Sequence, residues 1–354
     1  MNIALQGLFP EELRDLVQQT GFPPFRAKQL WHWLHLRHAF SWAEMTNLPR
    51  PFLDALSTQA TPSPLTALRT SGDPGSTQKW LLELDDGETL ETVLIPSRDR
   101  QTVCVSTQVG CKMACAFCAS GKGGWIRNLS AGEIVAQVHY AARQLGHRPD
   151  NVVFMGMGEP FDNYDNVLRA VRLLNHPDGL NIGARKITLS TSGLIPGIRR
   201  LATEGLQVEL SVSLHAPSPD LRRRLMPVET AYPMTALLAA CRDYTAATRR
   251  IITFEYTLIR GVNDSPAHAE QLAARLSTFP CRVNAIPLSP VAEFQEAAPS
   301  RETCQTFLDI LARRHIPATL RESKGKSLSA ACGQLRCAVA QPPPPPPKKT
   351  PPQD

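Results

Sequence analysis

Three cysteines crowd one short stretch, Cys111, Cys115 and Cys118, with Phe117 just before the last. Thiolates are soft ligands that suit iron–sulfur clusters, zinc or copper(I), so the spacing first poses the question of which metal. A structural zinc site takes four ligands, usually in paired knuckles, and no second pair with that spacing follows. Three thiolates on one loop can instead hold three irons of a 4Fe–4S cluster and leave the fourth iron open to a small molecule. The plainer readings are a buried loop, or a zinc site that recruits Cys104 as its fourth ligand.

Other residues could serve such a site. Gly156-Met157-Gly158-Glu159-Pro160 combines two glycines, which let backbone come close to a ligand, with a carboxylate able to accept bonds from an ammonium group. Ser190, Ser213, Leu214 and His215 fall at predicted strand ends, where hydroxyls and an imidazole suit a ribose and a carboxylate. Strand-end capping explains them equally. Asn284 is polar within an apolar run and asks for a partner. Cys104 and Cys332 stand apart from the triad, and composition alone makes both ordinary buried thiols.

The elements that must position these residues are legible in outline. Residues 10–19 place Leu13, Leu16 and Val17 on one helical face, and 25–37 repeat the period with Ala27, Leu30, Trp31 and Leu34. Ser41 and Glu44 match a capping box and predict a third helix from there. Residues 1–57 thus read as a small all-α accessory domain. Its Arg26, Lys28, Trp31, Trp33 and His35 are candidates for nucleic-acid contact, with Trp31 suited equally to a core. Residues 58–98 read as a Pro/Thr/Ser-rich linker followed by a β-hairpin turning at Asp85-Asp86-Gly87.

From residue 99 strands and helices alternate. Strands are expected at 102–106, 152–155, 186–190, 207–214, 251–259 and 282–287, with helices at 131–145, 163–174, 195–203, 234–245, 266–276 and 302–314. Such alternation demands a parallel sheet. Six units predict an α/β fold, an open (partial) six-unit (βα) barrel over residues 99–340, with active groups at strand C-terminal ends. The cysteine loop follows the first of these strands. The six prolines of 342–347 make 341–354 a disordered, extended tail.

The chain has 354 residues, 42% of them hydrophobic, enough for one large core and a small accessory domain. No apolar run approaches the about 20 residues that span a bilayer, so no membrane role is expected. The N-terminus lacks the basic-then-apolar order of a signal peptide. The 9 cysteines are odd in number and unevenly spaced, which argues against a secreted disulfide framework and for the cytoplasm. The net charge is +6, with clusters at Arg199-Arg200, Arg222 to Arg224, Arg249-Arg250, Arg313 to His315 and Arg321 to Lys326. These could line a phosphate-binding face or lie on solvated helices.

The triad, with an aromatic before its last cysteine, resembles the signature of the radical S-adenosylmethionine (radical SAM) enzymes, in which the open iron chelates SAM. The stretches from Cys104 to Cys111, Met155 to Pro160, Leu189 to Gly193, Ser213 to Ala216 and Ala331 to Leu335 resemble, in that order, motifs of the RlmN family. Those are dual-specificity RNA methyltransferases of the radical SAM class, and the likeness runs from the N-terminal helices to Leu335.

The resemblance implies one 4Fe–4S cluster on Cys111, Cys115 and Cys118. It implies SAM contacts from Gly158, Glu159, Ser190, Ser213, Leu214, His215 and Asn284. Cys332 would be the methyl carrier, Cys104 the resolving thiol and Glu91 the proton acceptor. The expected substrates are an adenosine of 23S ribosomal RNA at the peptidyl-transferase centre and the adenosine next to the anticodon in certain transfer RNAs. Adenine C2 is electron-poor, so polar transfer from SAM cannot methylate it. The Cys332 thiolate would take a methyl from one SAM. A radical from a second SAM would remove a hydrogen from that methyl, and the methylene would add to C2. Glu91 would accept the C2 proton, and Cys104 would release the product by forming a disulfide with Cys332. A monomer fed by a flavodoxin or ferredoxin is expected. Cys241, Cys281, Cys304 and Cys337 are assigned to packing or exposure. Two competing readings are a Cfr-type enzyme that methylates adenine C8 and a non-enzymatic, zinc-bound RNA-binding protein. A redox-sensor reading of Cys104 and Cys332 leaves the triad unexplained.

Overall fold

The computed structural model describes residues 2–321, 324–325 and 328–336. The proline-rich stretch and Cys337 lie outside the described residues. A ten-stranded sheet organises the chain. Its strands are β1 Leu65–Ser71, β2 Gln78–Leu84, β3 Thr89–Ser97, β4 Arg100–Cys104, β5 Asn151–Phe154, β6 Ile187–Thr191, β7 Glu209–Ser213, β8 Ile252–Leu258, β9 Cys281–Pro287 and β10 Ala318–Leu320. They lie side by side in chain order. β1 to β4 form an antiparallel meander, and β4 to β10 are parallel. Six helical crossovers join the parallel strands, as parallel neighbours require. β1 and β10 remain as edges, so the barrel is open.

β8 shows why the interior can hold a polar site. Ile252, Phe254, Tyr256 and Leu258 are fully buried, while Thr253, Glu255 and Thr257 alternate with them. A parallel strand covered on both faces normally reads as a continuous apolar run. Polar residues at every second position mean that one face looks into a polar cavity. The helix Ala131–Leu145 behind the cysteine loop starts at the expected capping box: the Glu133 amide donates to Ser130 Oγ (3.2 Å) and the Ser130 amide to Glu133 Oε2 (2.7 Å).

Three expectations change. The helix predicted from Ser41 is a single 3₁₀ turn, Trp42–Glu44, although its capping box forms. The third α-helix is Arg50–Ser57. Pro49 and Pro51 cannot sit inside a continuous helix, but Pro51 fits its first turn. The stretch read as linker contains β1, whose residues are mostly exposed and so carry no amphipathic pattern. Finally, the hairpin is not separate from the barrel, because β3 pairs with β4 and continues the same sheet.

The N-terminal helices pack on the helix Ala131–Leu145. A Cβ on Gly7 would stand 2.8 Å from the Gly132 amide nitrogen, so the two backbones touch there. Trp31 and His35 are buried and stacked at 3.8 Å, and Trp31 Nε1 donates to the Asp178 carbonyl (2.7 Å). They are core residues, which removes them from the candidates for nucleic-acid contact. Trp33 is half-buried and donates to Asn47, whereas Lys28 is exposed. No helix among the described residues is long and apolar enough to cross a membrane.

Candidate active site

The cysteine loop hangs from the end of β4 and is pinned by backbone bonds. The Cys111 amide donates to the Gly124 carbonyl (2.8 Å) and the Ala116 amide to the Leu225 carbonyl (2.9 Å). Cys111, Cys115 and Cys118 line one cavity at the C-terminal ends of β5 to β8, together with Gly158, Glu159, Ser190, Ser213, His215 and Cys332. Burial pushes the Cys111 thiol up to about 12 and the Cys115 thiol well above its ordinary value. Thiols in that state become ligands when a metal displaces their protons. Three soft sulfurs on one wall fit a cluster with an open iron. Three buried oxygens in the same wall, Ser192 Oγ, Glu255 Oε2 and Ser289 Oγ, lack hydrogen-bond partners, as expected where a polar ligand completes the site. The four-thiol zinc reading fails on position: Cys104 does not line this cavity.

Glu159 is buried and anchored: Oε2 accepts from the Ser192 amide (2.7 Å) and Oε1 from the Phe161 amide (3.0 Å). Burial raises its carboxyl, and those two backbone bonds oppose the rise. The neighbouring glycines serve the chain rather than a ligand. A Cβ on Gly156 would meet the Val105 carbonyl at 2.6 Å, and Gly158, at φ +100°, would meet Gln108 Cβ at 2.6 Å. This close approach seats the Glu159 amide on Gln108 Oε1 (2.8 Å). His215 is buried, and its Nδ1 accepts from the Thr257 amide (2.9 Å). Burial lowers the imidazole to about 3, so it is neutral.

Two expected contacts do not line the cavity. Leu214 is fully buried, and Asn284 donates from Nδ2 to Glu255 (3.2 Å) and accepts at Oδ1 from the Thr319 hydroxyl (2.8 Å). Sequence reasoning passed over Glu255, Thr257 and Ser289, which do line it. The alternation in β8 was the available signal for Glu255 and Thr257; Ser289, in a loop, had none.

Cys332 faces two cavities. It lines the one that holds the cysteine triad, and also a second with Cys104, Met155 and Arg321. Cys104 and Cys332 are free thiols. Burial, and next the neighbouring Cys332 sulfur, push Cys104 up to about 12. Cys332 is solvent-exposed at the mouth yet crowded by protein, and that crowding raises its thiol. Glu91 lies elsewhere. It is buried in a third cavity, paired with Lys79 Nζ (2.7 Å), and accepts from the Arg336 amide (3.0 Å).

The basic clusters are not one face. Arg222 is fully buried and paired with Glu229 (2.6 Å), and Arg200, Arg250 and Arg314 are paired with carboxylates. Arg223, Arg224, Arg249 and Arg313 are exposed.

An open parallel barrel with three cysteines on the loop after its first parallel strand defines a radical SAM enzyme. Residues 105–273 match the Radical SAM superfamily. The crystal structure of a radical SAM methyltransferase from Sphaerobacter thermophilus has the same fold, with a TM-score of 0.92 and 49% identity over 94% of this chain and 99% of that one. Residues 3–61 match the ribosomal RNA large subunit methyltransferase N-terminal domain. The chain is 48% identical over 336 residues, 94% of its length and 91% of the relative's, to the probable dual-specificity RNA methyltransferase RlmN of Symbiobacterium thermophilum. It is 47% identical to the relative of that name in Synechococcus elongatus, across 92% of this chain and 91% of that protein. The chain therefore belongs to the RlmN family of RNA methyltransferases, whose members use a 4Fe–4S cluster and SAM.

Proposed function

We propose that this chain methylates C2 of an adenosine in 23S ribosomal RNA, and of the adenosine next to the anticodon in certain transfer RNAs, through an S-methyl group on Cys332. The observation that supports this reading is the position of Cys332, shared between the cavity of the cysteine triad and the cavity of Cys104. A carrier must visit a methyl donor on one side and a resolving thiol on the other. Cys111, Cys115 and Cys118 would hold the cluster, and Glu159, Ser190, Ser213 and His215 would surround SAM. When bound, the cluster supplies one electron to SAM, which is the source of the radical chemistry.

The Cys332 thiolate takes the methyl of a first SAM and releases S-adenosylhomocysteine. After hydrogen abstraction the methylene carbon bonds to C2, and the RNA is tethered to Cys332. Glu91 is the candidate acceptor of the C2 proton; its two oxygens must first leave Lys79 and the Arg336 amide. Cys104 then attacks the Cys332 sulfur: the S–S bond forms, the bond from that sulfur to the methylene carbon breaks, and the carbon keeps the electron pair and takes up a proton to become the methyl group. The adenosine must be unstacked to present its edge. The Lys28 side of the N-terminal unit and the exposed arginines supply phosphate contacts. A flavodoxin- or ferredoxin-type donor, a monomeric state and a cytoplasmic location complete the proposal.

The test is anaerobically reconstituted protein given SAM, reductant and unmodified ribosomal or transfer RNA, with digested nucleosides read by mass spectrometry. 2-Methyladenosine that disappears in Cys118→Ala and Cys332→Ala is expected. 8-Methyladenosine would move the chain to Cfr-type chemistry, and zinc without iron in the purified protein would end the enzymatic reading.

A further inference from the structure

The stretch from Ser329 to Arg336 carries Cys332, and its two ends converge on one buried ion pair. Lys79 Nζ donates to the Ser329 carbonyl (3.1 Å), while Glu91 Oε2 accepts from the Arg336 amide (3.0 Å). Lys79 and Glu91 bind each other at 2.7 Å, with side chains only 11% and 4% exposed. They sit diagonally across β2 and β3, since Lys79 pairs with Val93 and Leu81 with Glu91.

Burying such a pair is costly unless its remaining hydrogen-bonding capacity is met. Here each member spends that capacity on the carrier stretch, one at each end. The middle of the stretch is tied to the cysteine loop instead: the Ala119 amide donates to the Gly333 carbonyl (2.7 Å), and Ser120 Oγ to the Leu335 carbonyl (2.6 Å). The carrier is thus suspended between the meander and the loop that bears the triad.

We propose that Lys79 is a positioning residue. With Glu91 it clamps both ends of the Ser329-to-Arg336 stretch and so holds the Cys332 sulfur where the two cavities meet. This rests on the reading of Cys332 as methyl carrier. Neither Lys79 nor Glu91 lines the cavity of the triad, so the clamp acts on the carrier and not on the cluster.

The test compares wild type, Lys79→Met, Lys79→Arg and the double variant Lys79→Met/Glu91→Gln, which leaves no unpaired buried charge. Two readouts are taken: hydrogen exchange of the peptide over 329–336 against one over β9, and RNA-free methylation of Cys332 by SAM, followed by intact mass. Losing a hydrogen bond from a charged group should speed exchange over 329–336 by about tenfold or more. Exchange in β9 should hold, Cys332 methylation should slow by a similar factor, and Lys79→Arg should restore much of both. The double variant should show the same local loosening with normal iron content, and Lys79→Met should keep normal reductive cleavage of SAM. Unchanged exchange over 329–336 in both Met variants would overturn the clamp. So would loosening that spreads equally through β9 in the double variant, or a Lys79→Arg protein no better than Lys79→Met. A wild-type protein that never methylates Cys332 would refute the carrier reading, while the exchange comparison would still decide the clamp.

Discussion

Cys104 is fixed in β4, opposite Val93 of β3, whereas Cys332, the proposed carrier, rides on a loop and is the one of the two thiols placed to travel. Removing each should therefore stop the reaction at a different bond. Cys332→Ala should form no covalent protein–RNA species. Cys104→Ala should methylate its carrier, add it to the base and then stall, accumulating adduct visible as a slow band in a denaturing gel. Multiple turnover should fall on the order of a hundredfold or more in both, since each thiol acts as part of one unit. A Cys104→Ala enzyme that turned over at the wild-type rate would remove the resolving role. At this scale the spacing of Cys111, Cys115 and Cys118 posed a metal site, because soft thiolates on one loop suit few other uses, and the structure brings the three to one cavity wall. The meeting of Cys104 and Cys332 could not be read from spacing, since it depends on a loop returning to the barrel mouth. Glu91 shows the opposite limit. Its place in a strand was legible, but not that its carboxylate binds Lys79 and the Arg336 amide.

Arg222 shows how an element overrides a residue's usual habit. In the short helix Pro219–Leu225 it shares its buried face with Leu221 and Leu225, while Arg223 and Arg224 point to solvent. Its guanidinium grips Glu229 (2.6 Å) and the Ser192 carbonyl (2.6 Å), beside the amide that anchors Glu159. Arg222→Met would leave Glu229 buried without its partner, and should cost about 3–5 kcal/mol of stability. Arg223→Ala should stay within about 0.5 kcal/mol. Urea midpoints of the two variants check this, and equal shifts would mean that Arg222 is not the buried member. The run of three arginines suited a phosphate-binding face or a solvated helix, and neither expectation puts Arg222 in the core, because composition is blind to which residue a seven-residue helix turns inward. The i, i+3 spacing of Arg222 and Leu225 was the clue in the sequence. The six barrel units were legible for the converse reason, that strand and helix periods alternate cleanly. β1 was not, because an exposed edge strand needs no apolar face, and the proline pair around Arg50 outweighed the capping box at Ser41.

At the scale of the whole molecule, the N-terminal unit is seated on the barrel through a line of histidines, His35 and His139 buried and His38 half-buried. His38 Nδ1 meets His139 Nδ1 at 2.9 Å, and His139 Nε2 meets His35 Nδ1 at 3.1 Å. The charged neighbours that act on them disfavour a further proton: His176 and His38 act on His35, and Arg143 acts on His38. Burial first, then these neighbours, lowers His35 to about 3 and His38 to about 4, and burial holds His139 well below its usual value. In the unfolded chain each would titrate near about 6.5. Below that pH the unfolded state binds protons that the folded state refuses, so stability falls as pH falls, by up to about 1.4 kcal/mol per pH unit for each histidine. The loss should begin near about 6.5 and run toward about 4. Exposed surface histidines would give no such slope. Urea midpoints taken from pH 7.5 to 5.5 should decline for the wild type and decline less steeply for His139→Gln, which removes one titrating group while keeping polar contact with both neighbours. A wild-type midpoint that stays level over that range would mean that the seat admits protons freely, and that the N-terminal unit is not held by a neutral histidine line.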